Sequence, residues 1–106
     1  MNETQETKFK NLLGLAQRAN KIVSGTFKVD EAIKHGKAKL IIVAEDTSES
    51  SINDYTKMAE LKNIPMIKAL TKETLGNSLG KEYRSVAAVL DAGFCKAIHK
   101  LFNENG

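Results

Sequence analysis

Five residues near the middle of the chain, Leu40-Ile41-Ile42-Val43-Ala44, form an unbroken apolar, β-branched run between Lys39 and Glu45. A strand with one wet face alternates polar and apolar residues. A run without alternation is a strand covered on both faces. Such a strand requires helices above and below it, and the flanking sequence supplies them. Val86-Ala87-Ala88-Val89-Leu90 repeats the pattern near the other end.

The segments between show helical spacing. Phe9, Leu12, Leu13, Ala16 and Ala19 follow the i, i+3, i+4, i+7 stripe of an amphipathic helix, with Asn20 and Lys21 at its end. Ile22-Val23 reads as a small strand. Ser24-Gly25-Thr26 turns the chain into a second helix with Val29, Ala32 and Ile33 on its inner side and Gly36 after its end. After the strand at 40–44, a third helix buries Ile52, Tyr55, Met58 or Ala59, and Leu61, and stops at Asn63-Ile64-Pro65. Met66 to Ala69 is a third strand. Thr71 caps a short helix with Leu75 and Leu79, ended by Gly80. Asp91 caps a last helix through Phe94, Cys95, Ile98, Leu101 and Phe102. The order α-β-α-β-α-β-α-β-α with short connections implies one sheet between two helical layers.

The remaining bounds are simple. A chain of 106 residues makes one domain, 1–106, with residues 1–7 expected as an unstructured polar lead-in. Hydrophobic residues at 42% exclude a disordered chain. A single cysteine, Cys95, excludes an internal disulfide and suits a reducing compartment. The polar, acidic start Met1 to Glu6 has no secretory pattern, and no apolar run approaches the about 20 residues of a membrane span. The expectation is a cytoplasmic protein with no membrane partner.

Catalytic and metal signals are thin. Gly76-Asn77-Ser78-Leu79-Gly80-Lys81 imitates a phosphate-binding loop. Three residues separate its glycines where four are needed, Glu82 replaces the Ser or Thr after the lysine, and the glycines fall within and at the end of a helix. His35, Cys95 and His99 are too scattered for a zinc site, and Cys95 reads as a small core residue. Glu45 and Asp46 follow the best strand, where α/β active sites often lie. Adjacent residues on an extended chain point to opposite faces, so capping and solvation explain them better than a working acid/base pair. No enzyme and no cofactor are expected.

The basic residues fall in two groups. Lys28, Lys34, His35, Lys37 and Lys39 lie on and just after the second helix. Lys81 and Arg84 lie before the last strand, with Tyr83 between them. The Ser24-Gly25-Thr26 turn offers backbone N–H groups at a helix start, a phosphate site by construction. Tyr83 can stack on an unpaired base. Each group alone reads as a solvated face. Together they make an RNA site if the fold sets them side by side. A net charge of +3 is compatible with that and does not decide it.

Five stretches carry a resemblance: Leu12-Leu13-Gly14-Leu15-Ala16-Gln17-Arg18-Ala19; Ile22-Val23-Ser24-Gly25-Thr26; the run from Ala32 to Asp46; Asn63-Ile64-Pro65; and Leu75-Gly76-Asn77-Ser78-Leu79-Gly80-Lys81-Glu82. Together they resemble the kink-turn-binding ribosomal proteins of the L7Ae family, and a bacterial branch of it in particular. The resemblance runs from about Phe9 to Leu101. It implies a three-layer α/β/α sandwich with a four-stranded mixed sheet. It also implies binding to kinked RNA with tandem sheared G·A pairs through two places. These are the glycine turn with the start of the second helix, and the loop before the last strand. The residues so implicated are Ser24, Gly25, Thr26, Phe27, Lys28, Glu31, Lys34, His35, Lys37 and Lys39, with Lys81, Glu82, Tyr83 and Arg84. Where archetypal members carry an Asn-Glu pair and a lysine one turn later, this chain has Phe27, Lys28 and Glu31. Phe27 cannot hydrogen-bond a base. Lys28 can donate to guanine O6 and N7. Glu31 places negative charge where a positive one is expected.

The reading is a non-catalytic, ribosomal-type RNA-binding protein, monomeric when free, whose partner is a structured RNA such as ribosomal RNA or another kink-turn. Two alternatives stay open: a ribosome-associated assembly or interaction protein with altered RNA specificity, and an enzyme using Glu45 or Asp46.

Overall fold

The computed structural model describes residues 1–103. Among them are five helices and four strands in the expected alternation: α1 (Glu3–Arg18), β1 (Ile22–Ser24), α2 (Thr26–Lys34), β2 (Leu40–Val43), α3 (Glu49–Lys62), β3 (Met66–Lys68), α4 (Lys72–Ser78), β4 (Val86–Val89) and α5 (Ala92–Asn103). The sheet order is β1-β4-β2-β3. β4 pairs antiparallel with β1 and with β2, whereas β2 and β3 are parallel, so the sheet is mixed.

The apolar runs are buried on both faces as their lack of alternation requires: every residue of β2 and β4 is at 0% exposure. The pleat divides them. Leu40, Ile42, Ala87 and Val89 join Phe9, Leu13, Leu75 and Ile98 from α1, α4 and α5. Ile41, Val43, Val86 and Ala88 join Val29, Ile33, Tyr55 and Ala59 from α2 and α3. The three layers are therefore α1/α4/α5, sheet, and α2/α3. Tyr55 Oη donates to Asp30 Oδ1 at 2.9 Å, tying α3 to α2 within the second layer. Burial and the neighbouring carboxylate both push the Tyr55 phenol well above its ordinary range. Among the described residues, no helix is long and apolar enough to cross a membrane.

The structure corrects several details. Residues 3–7, expected as part of an unstructured lead-in, form the first turns of α1. Asn2 caps that helix: its side chain accepts from Gln5 N, and the Gln5 side chain accepts from Asn2 N in return. Two acidic residues, Glu3 and Glu6, sit in its first turn and favour the helix dipole. Polarity there marks a helix start, which the search for an apolar stripe overlooked. Leu61 is exposed, because two residues past the buried Ala59 is the far side of α3. Cys95 is half-buried, and its thiol donates to Lys39 O at 3.4 Å. Burial raises its pKa, and nearby Lys39 acts in the opposite sense.

Candidate nucleic-acid interface

Two segments far apart in sequence meet at one end of the sheet. Ser24 closes β1, and Gly25 N donates to Val86 O at 3.0 Å, so the turn into α2 sits against the start of β4. Gly25 has φ of +90°, a conformation that costs glycine nothing and other residues strain. It is the N-cap of α2, and no side chain caps the helix. The N–H groups of Thr26, Phe27 and Lys28 in the first turn therefore face solvent without an intrahelical partner.

The segment Lys81–Arg84 closes over this turn. Arg84 Nε donates to Ser24 Oγ at 3.0 Å, and Arg84 Nη1 donates to Tyr83 O at 2.8 Å. The guanidinium is held in place with one edge, Nη2, making no hydrogen bond among the described residues. The loop itself is fastened to α4: Lys81 N donates to Gly76 O at 2.8 Å and Arg84 N to Lys72 O at 3.0 Å. Gly76 allows this closeness. A Cβ there would lie 2.6 Å from Glu82 O, 2.8 Å from Glu82 C and 2.9 Å from Tyr83 Cα. The glycine that imitates a phosphate-binding loop thus serves as the seat of the loop that follows.

The result is an open groove of about 520 Å3 lined by Ser24 to Lys28, Lys81 and Arg84. Phe27 stands out from it at 78% exposure, and Tyr83, next to the lining residue Arg84, is 61% exposed. Such exposure is unusual for aromatic side chains and leaves their ring faces free to stack. Lys28, Lys81 and Arg84 supply positive charge, and Glu31 and Glu82 lie exposed beside them. Cations, uncapped amides and two exposed rings bring together the chemistry that phosphates and unstacked bases require.

Not every expected residue joins this site. Lys34, His35, Lys37 and Lys39 lie at and beyond the opposite end of α2, where Lys34 and Lys39 line a different depression. Nine residues of helix separate the ends by about 13 Å. Spacing in sequence had merged what the helix axis separates. Gln17 and Asn20, which sequence reasoning missed, line the groove from the end of α1. The available signal was Asn20 itself: it has φ of +58°, turning the chain from α1 toward β1. Lys72, the first residue of α4, carries the carbonyl that holds Arg84 N. Asp46 Oδ1 accepts from Lys72 N at 2.8 Å, so it acts as a cap across loops, not as half of an acid/base pair.

The fold and this face define a class of protein. The chain belongs to the ribosomal protein L7Ae/L30e/S12e/Gadd45 family, whose pattern matches residues 7–99. Within it, the chain is similar to the RNA-binding protein YlxQ of Bacillus subtilis (strain 168), at 39% identity over 92 residues, 87% of this chain and 92% of that protein. It is 32% identical over 101 residues to the RNA-binding protein YlxQ of Enterococcus faecium, covering 95% of this chain and 97% of the other. A solved structure of a protein of unknown function from Bacillus halodurans C superimposes with a TM-score of 0.88 at 31% identity, over 92% of this chain and 98% of that one.

Proposed function

We propose that this protein is a non-catalytic RNA-binding protein that holds a kinked or internal-loop RNA, ribosomal RNA being the natural source, against the N-terminal end of α2. It works as a monomer in the cytoplasm and needs no cofactor. The observation that carries the reading is the bond from Arg84 Nε to Ser24 Oγ, 3.0 Å across sixty positions of sequence. It joins the two segments the family uses into one face with Phe27 and Tyr83 open on it. The names of the YlxQ relatives support RNA as the ligand.

The chemistry divides between the parts. The uncapped amides of α2 and the free edge of Arg84 take phosphate oxygens. Lys28 is placed to donate to a guanine edge. Phe27 replaces an edge-reading amide by a ring face, which shifts the weight from hydrogen-bond readout to stacking.

The test is filter binding of a kink-turn RNA and of the same RNA with its G·A pairs replaced by Watson–Crick pairs. Lys28→Ala weakens kink-turn binding by about 1–3 kcal/mol. Lys57→Ala, on the exposed side of α3, leaves it unchanged. Equal losses for the two variants contradict the placement of the site. Wild-type protein that binds neither RNA contradicts the function.

A further inference from the structure

The lysines beyond α2 are left unused by the interface, and the fold adds another to them. Lys34 ends α2, Lys39 precedes β2 and Lys62 ends α3, and all three line one depression with Ile33, Ala38 and Ile64. Lys37 is exposed on the turn between. Lys39 N donates to Val89 O at 2.7 Å, which fixes this cluster at the sheet end opposite Ser24 and Arg84. Sequence reading could not find Lys62, because it comes from a different helix.

Cations near helix C-termini offset the helix dipole, and that accounts for Lys34 and Lys62. It does not account for Lys37 and Lys39, which lie outside any helix. Nor do these helix ends depend on lysine. Gly36 N, Lys37 N and Ala38 N all donate back to carbonyls of Ile33 and Ala32, and Asn63 turns α3 off with φ of +56°. No carboxylate lies within ion-pair distance of these amines among the described residues, where the pair formed is Lys10 with Glu6. The depression carries three lysines, and its lining holds no aromatic ring. It therefore lacks a ring in its lining on which a base could stack, holds one side-chain amide, Asn63, and otherwise offers what attracts a row of phosphates.

We propose that this end is a second nucleic-acid site, for the backbone of a continuous RNA double helix, so that one molecule bridges two RNA segments. The proposal rests on the RNA-binding reading of the first face and extends it: one end holds an irregular RNA, the other a regular duplex. Binding here is independent of sequence and steeply dependent on salt.

The experiment immobilises a kink-turn RNA, saturates it with protein and then supplies a plain Watson–Crick RNA duplex. Wild-type protein captures the duplex. The variant K37A/K39A/K62A captures it about tenfold more weakly while its kink-turn affinity stays within about twofold. The variant K37R/K39R/K62R, which keeps the charge, restores capture. Circular dichroism and the thermal midpoint confirm that each variant is folded. Loaded protein that captures no duplex, or captures it equally well in the alanine variant, overturns the second site and leaves the first standing. If wild type fails to hold the kink-turn RNA, the first reading falls. The duplex is then offered to free protein, where loss of binding in the alanine variant still supports the second site. Poly-L-glutamate binding at this end more tightly than duplex at equal salt overturns the assignment in favour of an acidic protein partner.

Discussion

The two ends of α2 are built on opposite plans. At the start, Gly25 leaves the first-turn amides uncapped, Ser24 is engaged by Arg84, and two aromatic side chains are exposed. At the finish, the carbonyls are closed by backbone turns through His35, Gly36 and Lys37, and the surface carries lysines with one imidazole, His35, among them. One end keeps directional donors open within a fixed frame, which suits recognition of a particular RNA geometry. The other satisfies its carbonyls internally and offers diffuse charge, which suits any phosphate backbone. The two ends of one nine-residue helix are thus assigned to different chemistry.

The strongest way to break this contrast is Gly76→Val. Three backbone atoms of Glu82 and Tyr83 stand within 2.9 Å of the new Cβ, so the loop must move. The small gain in helix propensity does not offset that clash, and stability falls by about 3 kcal/mol in urea titration. Kink-turn binding collapses with it, whereas duplex capture at the far end survives in the folded fraction. Retention of full kink-turn affinity contradicts the role given to the loop.

The double variant Phe27→Asn with Glu31→Lys sharpens the contrast instead. It restores an edge-reading amide and exchanges repulsion for attraction at the α2 start. Affinity for a standard kink-turn rises by about 1–3 kcal/mol, and the gain from base contact vanishes on the Watson–Crick control. A folded variant that binds both RNAs no better than wild type shows that α2 does not dock in the family manner.

Tyr55→Phe is the neutral probe. It removes the 2.9 Å bond to Asp30 between the two ends of α2 and costs about 1 kcal/mol in thermal or chemical unfolding. Both RNA affinities stay as they are. A change in either indicates that the ends communicate through the helix. The smallest effect is electrostatic. Lys81→Ala, which removes a groove cation assigned to no base, lowers the slope of log affinity against log salt for the kink-turn by about one unit, read from titrations at several salt concentrations.

Much of this fold is legible in the order of residues, because burial on both faces leaves a direct mark. The runs at β2 and β4 announce their depth by failing to alternate, and all four residues of each are fully buried. The α2 stripe of Val29, Ala32 and Ile33 is equally plain. The first turns of α1 were hidden because their support is a reciprocal cap between Asn2 and Gln5 rather than an apolar face. The site is legible in its parts and not in its assembly. Glycine before a helix and a basic loop before a strand can be seen in one dimension. That Arg84 reaches Ser24, that Lys39 sits at the far end of the sheet and that Lys62 joins it depend on strand order and helix direction.

The central claim is that one end of α2 meets irregular RNA and the other does not. Backbone amide chemical shifts recorded during titration with a kink-turn RNA test it most directly. The expected result is large shifts at Thr26, Phe27 and Lys28 and across Lys81 to Arg84, with Lys34 to Lys39 and Lys62 unmoved at the first equivalent. Shifts of equal size at both ends at that point, or confined to Lys34 to Lys39, contradict it.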